Sequence, residues 1–215
     1  MAIKSILFNT EMVRAILDGR KSCTRRSVSS RQFLGMLPDK CKNAVPDEFL
    51  KDKRMMFKPY CDMTDTELIM TAYKAPYEPG DILYVRETWC LRYDGEKYFY
   101  KADKNTPREE KRLIDYNNTS WHPSIHMPKE AARIWLKVTD VRVERLQEIT
   151  PQGAWKEGAR CSCLNPVPDC AGNKTAFVNI WNSTIKKSDL DRYGWDANPW
   201  VWVIEFERCG KPEGV

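Results

Sequence analysis

Near its N-terminus the chain passes from an apolar strand, through one short helix, into a segment crowded with cations. Thr10 is a suitable N-cap, and Gly19 follows the last helical position, where a positive φ favours glycine. Apolar residues recur at helical spacing between them, at Met12, Val13, Ile16 and Leu17. The sequence therefore predicts a strand over residues 3–8, a helix that ends at Gly19, and a strand over residues 22–28.

A hairpin is predicted in the middle of the chain. Residues 82–89 follow a Pro-Gly-Asp turn signal and are rich in β-forming side chains. Residues 98–102 are predicted to pair with them, with Asp94 and Gly95 in the connecting turn. This part of the sequence therefore predicts antiparallel sheet rather than a helix.

The C-terminal part mixes long strands with short helices. Residues 132–143 form the longest β-like run, and the spacing of their apolar positions shifts near Thr139, which indicates a bulge. Thr150 is predicted to cap a short helix that has Pro151 at its first position. A second helix is predicted over residues 175–183, and a last strand over residues 200–206.

Strands dominate this order of elements, and the helices are few and short. The pattern predicts an α+β fold, a small and partly closed β-barrel with peripheral helices, as a single domain over residues 1–210. Residues 29–78, 103–130 and 160–173 are predicted as insertions, the first with little regular structure because it shows no sustained period.

The composition of the 215-residue chain narrows the class of partner. A net charge of +5 fits a nucleotide or nucleic-acid ligand, although many other proteins share it. No apolar run is long enough for a membrane span and no signal-peptide core is present, so a cytoplasmic location is expected. The eight cysteines are then expected to be mostly free thiols, and the eight tryptophans favour a heavy core over a base-stacking surface.

The basic segment contains a candidate nucleophile and a candidate base. Thr24 becomes nucleophilic if a neighbouring base takes its proton, and the clustered cations Arg20, Arg25 and Arg26 would depress the pKa of Lys21. A solvated basic strand is the simpler alternative. Residues three apart on a regular strand point to opposite faces, so Lys21 must lie on the turn after Gly19 if it is to act with Thr24.

Two carboxylates are further candidates. Glu157, on a short helix just before Gly158, suits a proton relay or the orientation of a lysine, although most helical glutamates are simply exposed. Glu87 follows Arg86 in a predicted strand. Because neighbouring side chains of a strand point to opposite faces, either Arg86 or Glu87 must face inward. For Glu87, pairing with the cations of residues 20–26 and a role in ligand binding both stay open.

The remaining candidates are sulfur and aromatic side chains. Cys161, Cys163 and Cys170 form a C-x-C-x6-C cluster, which fits the usual short zinc spacing poorly and lacks a fourth ligand. Free loop thiols are therefore favoured over a structural zinc site, and no cofactor is predicted. Trp200 shares one strand face with other apolar residues, which indicates core burial with an alternative role in stacking on a base.

Together these motifs resemble the ASCH domain, a PUA-like β-barrel family linked to RNA and modified bases. The resemblance rests on the Lys-x-x-Thr-x-Arg strand, the Tyr-Val-Arg-Glu-Thr-Trp strand, the Ala-x-x-Glu helix and the Asn-Pro-Trp-Val-Trp-Val ending. The longer pattern is similar to the ASCH-like proteins carried by tailed phages and prophages. It covers about residues 3–28, 76–102 and 131–208.

One branch of that family removes the acetyl group from N(4)-acetylcytidine. The resemblance implies that Thr24 is the nucleophile, Lys21 its activator and Glu157 the relay, with Arg26 as the motif's arginine. Arg20, Arg26, Glu87, Trp89 and Trp200 are the predicted substrate-binding residues. Alternatives are a non-catalytic module that binds RNA or a modified base, and a phage factor that binds a host protein through the first insertion.

Overall fold

A computed structural model describes residues 1–28, 45–49, 54–58, 71–91, 97–103 and 121–214. The strands are β1 (Ile3–Leu7), β2 (Cys23–Ser27), β3 (Val45–Phe49), β4 (Arg54–Lys58), β5 (Thr71–Lys74), β6 (Ile82–Arg86), β7 (Trp89–Leu91), β8 (Tyr98–Tyr100), β9 (Trp135–Arg145) and β10 (Trp200–Cys209). The α-helices are α1 (Thr10–Leu17), α2 (Pro151–Lys156), α3 (Gly172–Thr184) and α4 (Leu190–Tyr193).

The main sheet has five strands in the order β1-β6-β9-β10-β2. β1 runs parallel to β6, whereas the β6–β9, β9–β10 and β10–β2 pairs are antiparallel. The α+β class, with a mixed sheet and a few short helices, is therefore confirmed. Within the described residues β1 and β2 are the two edges and form no ladder with each other, so no closed barrel is found.

The two longest strands carry a bulge. Glu205 pairs with Asp140 but Phe206 pairs with Val138, so Thr139 is the extra residue on β9. A bulge re-aims the side chains beyond it, and Val138 and Val141 accordingly both reach the core although they are an odd number of positions apart. The predicted irregularity near Thr139 is confirmed.

Helix α1 connects the two edge strands and covers one face of the sheet. Its N-cap is Asn9, whose side chain accepts a hydrogen bond from the backbone of Met12, so the predicted cap at Thr10 was one residue late. Gly19 adopts a φ of 70° after the helix, as its spacing predicted. Val13 and Ile16 pack into the same core as Trp202 and Ile204 of β10.

The opposite face of the sheet carries a second core. Because side chains alternate along a strand, Val201 and Val203 of β10 point away from α1. They are buried against Leu146, Phe177 and Trp181, so α2 and α3 lie on this side of the sheet. The sheet is therefore covered on both faces, and β2 lies at the edge where α1, α2 and α3 approach one another.

Residues 29–78 contain more structure than the sequence indicated. β3, β4 and β5 form a three-stranded antiparallel sheet, so the prediction of little regular structure was wrong for these strands. The predicted pairing of residues 82–89 with residues 98–102 was wrong for most of the first strand, because β6 pairs with β1 and β9 while β8 pairs with the separate strand β7. The predicted turn at Asp94 and Gly95 lies outside the described residues. Among the described residues, no helix is long and apolar enough to cross a bilayer.

Candidate active site at the open edge of the sheet

Lys21 lies on the turn between α1 and β2 rather than on the strand itself. The backbone N–H groups of Arg20 and Lys21 both donate to the carbonyl oxygen of Ala15, at 2.8 and 3.0 Å. Since β2 begins at Cys23, the alternation of side chains along the strand does not fix the direction of Lys21. The backbone thus departs from a regular strand just after Gly19, as a joint role for Lys21 and Thr24 requires.

Glu157 reaches the same place from the end of α2. Thr150 caps this helix by accepting a hydrogen bond from Gly153, and Pro151 occupies its first turn, both as predicted. Gly158 has a φ of +86°, and a Cβ there would lie 3.0 Å from the Cβ of Ala15. Glycine therefore lets the chain turn sharply against α1 directly after Glu157.

Lys21 and Glu157 form a buried ion pair. The Lys21 Nζ donates to Glu157 Oε2 at 2.6 Å, to the Glu157 carbonyl at 3.0 Å and to the Cys23 carbonyl at 2.8 Å. These three acceptors match the three protons of an ammonium group, and the lysine side chain is fully buried. Burial lowers the pKa of Lys21, and the carboxylate of Glu157 offsets part of that shift.

Arg25 extends this pair into a larger ionic network. The Arg25 Nη1 donates to Glu157 Oε1 at 3.2 Å, and the Arg25 Nη2 donates to Glu144 Oε2 on β9 at 3.0 Å. Glu144 also accepts from Arg142 at 2.7 Å. The Arg25 Nε is buried and has no hydrogen-bond partner among the described residues. No role was predicted for Glu144, and Arg25 was predicted only as one of the cations near Lys21. The available signal for their pairing was a charged residue on each of two strands, Arg25 on β2 and Glu144 on β9.

A cleft of about 230 Å³ opens beside this network. Thr24, Arg25, Arg26 and Glu157 form one side, so three of the predicted residues share the cleft. The other side is largely apolar and comes mainly from α3, with Phe177, Ile180, Trp181, Thr184 and Ile185, together with Met12. Lys21 is not part of the lining, because it lies behind Glu157.

The open edge of β2 adds backbone groups to the cleft. Val28 donates to the Trp200 carbonyl, and Phe206 donates to the Ser22 carbonyl, so even-numbered residues of β2 face β10. Because an antiparallel ladder alternates, the N–H and C=O groups of Arg25 and Ser27 point the other way, toward the cleft. The cleft therefore offers a hydroxyl, a carboxylate, backbone donors and a cation beside an apolar wall.

Arg26 lies at the rim of this cleft. Its Nη2 donates to the Leu7 carbonyl at 2.8 Å, and its guanidinium lies 5.4 Å from the centroid of the Phe8 ring. Burial lowers the pKa of Arg26, although an arginine stays a cation at neutral pH. Arg26 thus links the two edge strands and presents positive charge where a ligand would enter.

Glu87 lies in a different ionic cluster. Its side chain is fully buried and binds Arg133 through two hydrogen bonds, at 2.9 and 3.1 Å. Burial raises the pKa of Glu87, and Arg133 offsets part of the shift. Arg133 also binds Asp103 and lies over the Tyr100 ring. Of the two possibilities for Glu87, pairing is observed, but with Arg133 and not with residues 20–26.

Three other predicted binding residues also lie outside the lining of the cleft. Arg20 pairs with Asp18 at 2.9 Å. Trp89 packs against Tyr98 and His122, and Trp200 packs on the first core with the Arg145 guanidinium 4.1 Å from its ring centroid. The structure does not bring these three residues to the cleft. The aromatic residues that do line it lie on α3, for which the sequence predicted a helix over residues 175–183 but no part in binding.

The three cysteines of the 160–173 segment come together. The ligand atoms of Cys161, Cys163 and Cys170 all lie within 4.8 Å of one another, with the first two sulfurs in direct contact. The sequence predicted free loop thiols, and how close they would lie to one another was not predicted.

Comparisons with protein-family models, curated proteins and solved structures found no match to this chain. The chemistry of both sites therefore has to be inferred from their own geometry.

Proposed function

We propose that the protein is an ASCH-like amidohydrolase that removes an acyl group from an acylated nucleoside or base of the N(4)-acetylcytidine kind. The observation that carries this proposal is the placement of Thr24 and Glu157 on one side of a single cleft, with Lys21 bound directly behind Glu157. A hydroxyl and a carboxylate that line one cleft, with a buried amine bound to that carboxylate, are the parts that an activated threonine nucleophile needs.

The first step would be attack by Thr24 on the amide carbonyl. The Thr24 Oγ1 forms a bond to the carbonyl carbon, and its proton passes through Glu157 to Lys21, which must be neutral at that moment. Burial favours the neutral amine, because desolvation lowers the pKa of Lys21. The carbonyl oxygen becomes an oxyanion, which Arg26 and the backbone N–H groups at the edge of β2 would stabilise.

The second step would restore the enzyme. The tetrahedral intermediate collapses, the C–N bond breaks, and the proton held by Lys21 returns to the leaving amine. Water then attacks the Thr24 ester and releases a carboxylic acid together with the free hydroxyl. The balance is one amide and one water giving one acid and one amine, and no other reactant is needed.

The apolar side of the cleft supports a planar substrate. Phe177 and Trp181 on α3 lie opposite the polar residues of β2, and a nucleobase needs an apolar surface for its faces and polar groups at its edge. The cations of the cleft lining, Arg25 and Arg26, would bind a phosphate or carbonyl oxygen of the substrate.

Hydrolysis of N(4)-acetylcytidine by the purified protein, followed as cytidine release, tests the proposal. Thr24→Val removes the hydroxyl at similar volume and is expected to lower turnover by roughly 10²–10⁴-fold, whereas Thr24→Ser should keep measurable activity. Thr175→Val, an exposed position on α3 outside the cleft lining, is the matched control. Full activity in Thr24→Val would refute the nucleophile.

A non-catalytic binding module is the second candidate, and one observation favours it. All three protons of the Lys21 ammonium have acceptors, as expected of a permanent structural cation. In that case wild-type protein would release no amine from any acylated nucleoside, yet would bind RNA or a modified base with an affinity that falls steeply with salt. Turnover by wild type decides between the two candidates.

A further inference from the structure

We propose that Cys161, Cys163 and Cys170 form a binding site for one thiophilic divalent cation, with Zn²⁺ as the probe. The inference is independent of the proposed hydrolase activity. It rests on the convergence of three sulfur ligands in the segment between α2 and α3, within 4.8 Å of one another.

The spacing of the sulfurs fits a single ion. Zinc–sulfur bonds of about 2.3 Å at tetrahedral angles place neighbouring sulfurs about 3.8 Å apart. The Cys163 and Cys170 sulfurs are 3.8 Å apart, whereas the Cys161 and Cys163 sulfurs lie closer than two non-bonded sulfur atoms, as in a disulfide. One ion would reach all three sulfurs once Cys161 and Cys163 are present as two separate thiolates and move apart to the same spacing.

The hydrogen bonds of one buried side chain hold together the parts of the loop that carry the cysteines. Asn173 is completely buried, and its Oδ1 accepts from the backbone N–H of Cys161 at 3.0 Å. Its Nδ2 donates to the carbonyls of Val167 and Pro168, at 2.8 and 3.0 Å. Its own backbone N–H donates to the Cys170 carbonyl at 2.9 Å. One amide side chain thus holds both cysteine-bearing arms of the loop.

Gly172 shows how tightly the loop is folded. A Cβ at this position would lie 2.7 Å from the Cβ of Cys161, a distance too short for two carbon atoms. Only glycine allows the start of α3 to lie this close to the first cysteine. The close approach of the three cysteines therefore depends on both Gly172 and Asn173, the first two residues of α3.

The donor set selects the class of metal. The cluster found among the described residues contains sulfur ligands only, which suits Zn²⁺ and other soft or borderline ions and disfavours Mg²⁺ and Ca²⁺. Cys163 is exposed, so a water can complete a four-coordinate site from the solvent side.

A metal at this position would hold one wall of the cleft. The site joins the loop to the first turn of α3, and the same helix carries Phe177 and Trp181 on the apolar side of the cleft. Its role would be structural, so loss of the metal should lower the thermal stability of the protein in addition to releasing the loop.

The test begins with wild-type protein produced in zinc-supplemented medium and purified under reducing conditions. Elemental analysis should find one zinc ion per chain, released when a mercurial reagent titrates the thiols. Replacement of zinc by Co²⁺ should give a thiolate-to-metal charge-transfer band and strong visible bands of tetrahedral cobalt. Addition of a chelator should lower the Tm.

Variants locate the metal. Cys163→Ser and Cys170→Ser should each lose most of the zinc, whereas Cys209→Ser, a half-buried thiol on β10, should keep it. The proposal is overturned if wild type carries only trace zinc and shows no cobalt–thiolate band. It is also overturned if zinc persists in the Cys161/Cys163/Cys170 triple serine variant, or if thiol trapping and mass spectrometry find a Cys161–Cys163 disulfide. Because the wild-type measurements need no variant, a misfolded mutant would not obscure the result.

Discussion

At the scale of single residues, the cleft is organised by charges that are out of contact with water. Glu157 lies between two cations, Lys21 on one carboxylate oxygen and Arg25 on the other, and all three side chains are almost completely buried. A buried ion pair adds little net stability compared with a well-packed apolar pair, but removal of one partner is severe because a buried charge is left alone.

Glu157→Gln is therefore expected to destabilise the protein by about 3–5 kcal/mol, since both Lys21 and Arg25 lose their shared carboxylate. Urea unfolding measures the change in the free energy of unfolding. Glu207→Gln is the matched control on a neighbouring strand, because Glu207 makes only an exposed pair with Lys137 at 3.9 Å and should change stability by about 1 kcal/mol or less. Equal effects of the two variants would contradict this account of the pair.

Because its thiol is buried, Cys23 is expected to make the stability of the protein depend on pH. Burial raises the pKa of the Cys23 thiol from 9.0 to about 12. The unfolded chain therefore loses this proton near pH 9 while the folded chain keeps it, so stability should fall as pH rises between the two values. The contribution at about pH 10 is about 1.4 kcal/mol.

The difference between wild type and Cys23→Ala isolates this contribution. From about pH 8 to about pH 10, wild type should lose that amount of stability relative to Cys23→Ala, as measured by the two free energies of unfolding. If the free energies of unfolding of the two proteins change with pH in parallel over this range, the Cys23 thiol contributes nothing to the pH dependence. That result would contradict the prediction.

At the scale of elements, the ends of α1 and α2 matter more than the helices themselves. The backbone of Ser22 donates to the carbonyl of Lys156 at 2.9 Å, which joins the turn after α1 to the end of α2. A Cβ at position 158 would lie 3.0 Å from the Cβ of Ala15 and 3.5 Å from that of Lys21, so Gly158 fits closely against both residues. The position of Glu157 is thus set by two helix ends that are bound to each other.

Gly158→Ala tests this arrangement. A residue with a Cβ at a φ of +86° is expected to lose about 1–2 kcal/mol, and the close contact with Ala15 adds to that loss. Turnover in the proposed hydrolysis should fall as well, because Glu157 would be displaced. Gly210→Ala, where nothing lies within 4 Å of the added Cβ, should stay within about 0.5 kcal/mol of wild type by thermal unfolding.

Helix ends and period-2 strands were also the elements that the sequence predicted best. Gly19, the cap at Thr150 and the bulge at Thr139 each have a local signal that does not depend on the rest of the fold. β3, β4 and β5 were missed because their five or fewer residues interleave charged, Pro and apolar positions with no clear alternation. Their pairing depends on partner strands, which a local pattern does not reveal.

The residues of the candidate site could likewise be predicted only where a local sequence signal existed. Lys21, Thr24 and Glu157 could be named from short motifs, but the apolar wall on α3 could not, because a cleft wall and a core face have the same helical spacing. Glu87, Trp89 and Trp200 were assigned to binding because a strand pattern says which face a residue occupies and not what it contacts. Arg133, the partner of Glu87, is 46 positions away and unremarkable in sequence.

At the scale of the whole molecule, two ionic clusters serve separate parts of the fold. The Glu87–Arg133–Asp103 cluster shares no residue with the Lys21–Glu157–Arg25–Glu144 network. Interactions without shared partners are close to additive in stability. Damage to the first cluster should therefore be felt as a loss of stability rather than as a change in the chemistry of the cleft.

Arg133→Met separates the two effects. It leaves Glu87 buried without a cation and should destabilise the protein by about 3–5 kcal/mol at neutral pH. The penalty should shrink at acidic pH, because the pKa of Glu87, already raised by burial, rises further and the protonated form folds without a charge. Turnover per folded molecule should match wild type, and a selective loss of turnover would join Arg133 to the active site.

The ion pair at the cleft also constrains when the protein becomes functional during its synthesis. Lys21 and Glu157 are 136 positions apart, and the helix that forms the far wall comes later still. Contacts between distant positions form late, because much of the chain must be present before they can close. A nascent chain that has left the ribosome only as far as β9 holds Thr24, the proposed nucleophile, but neither Glu157 nor the apolar wall of the cleft. The proposed activity would thus arise only near the end of translation, and products truncated before α3 would lack it.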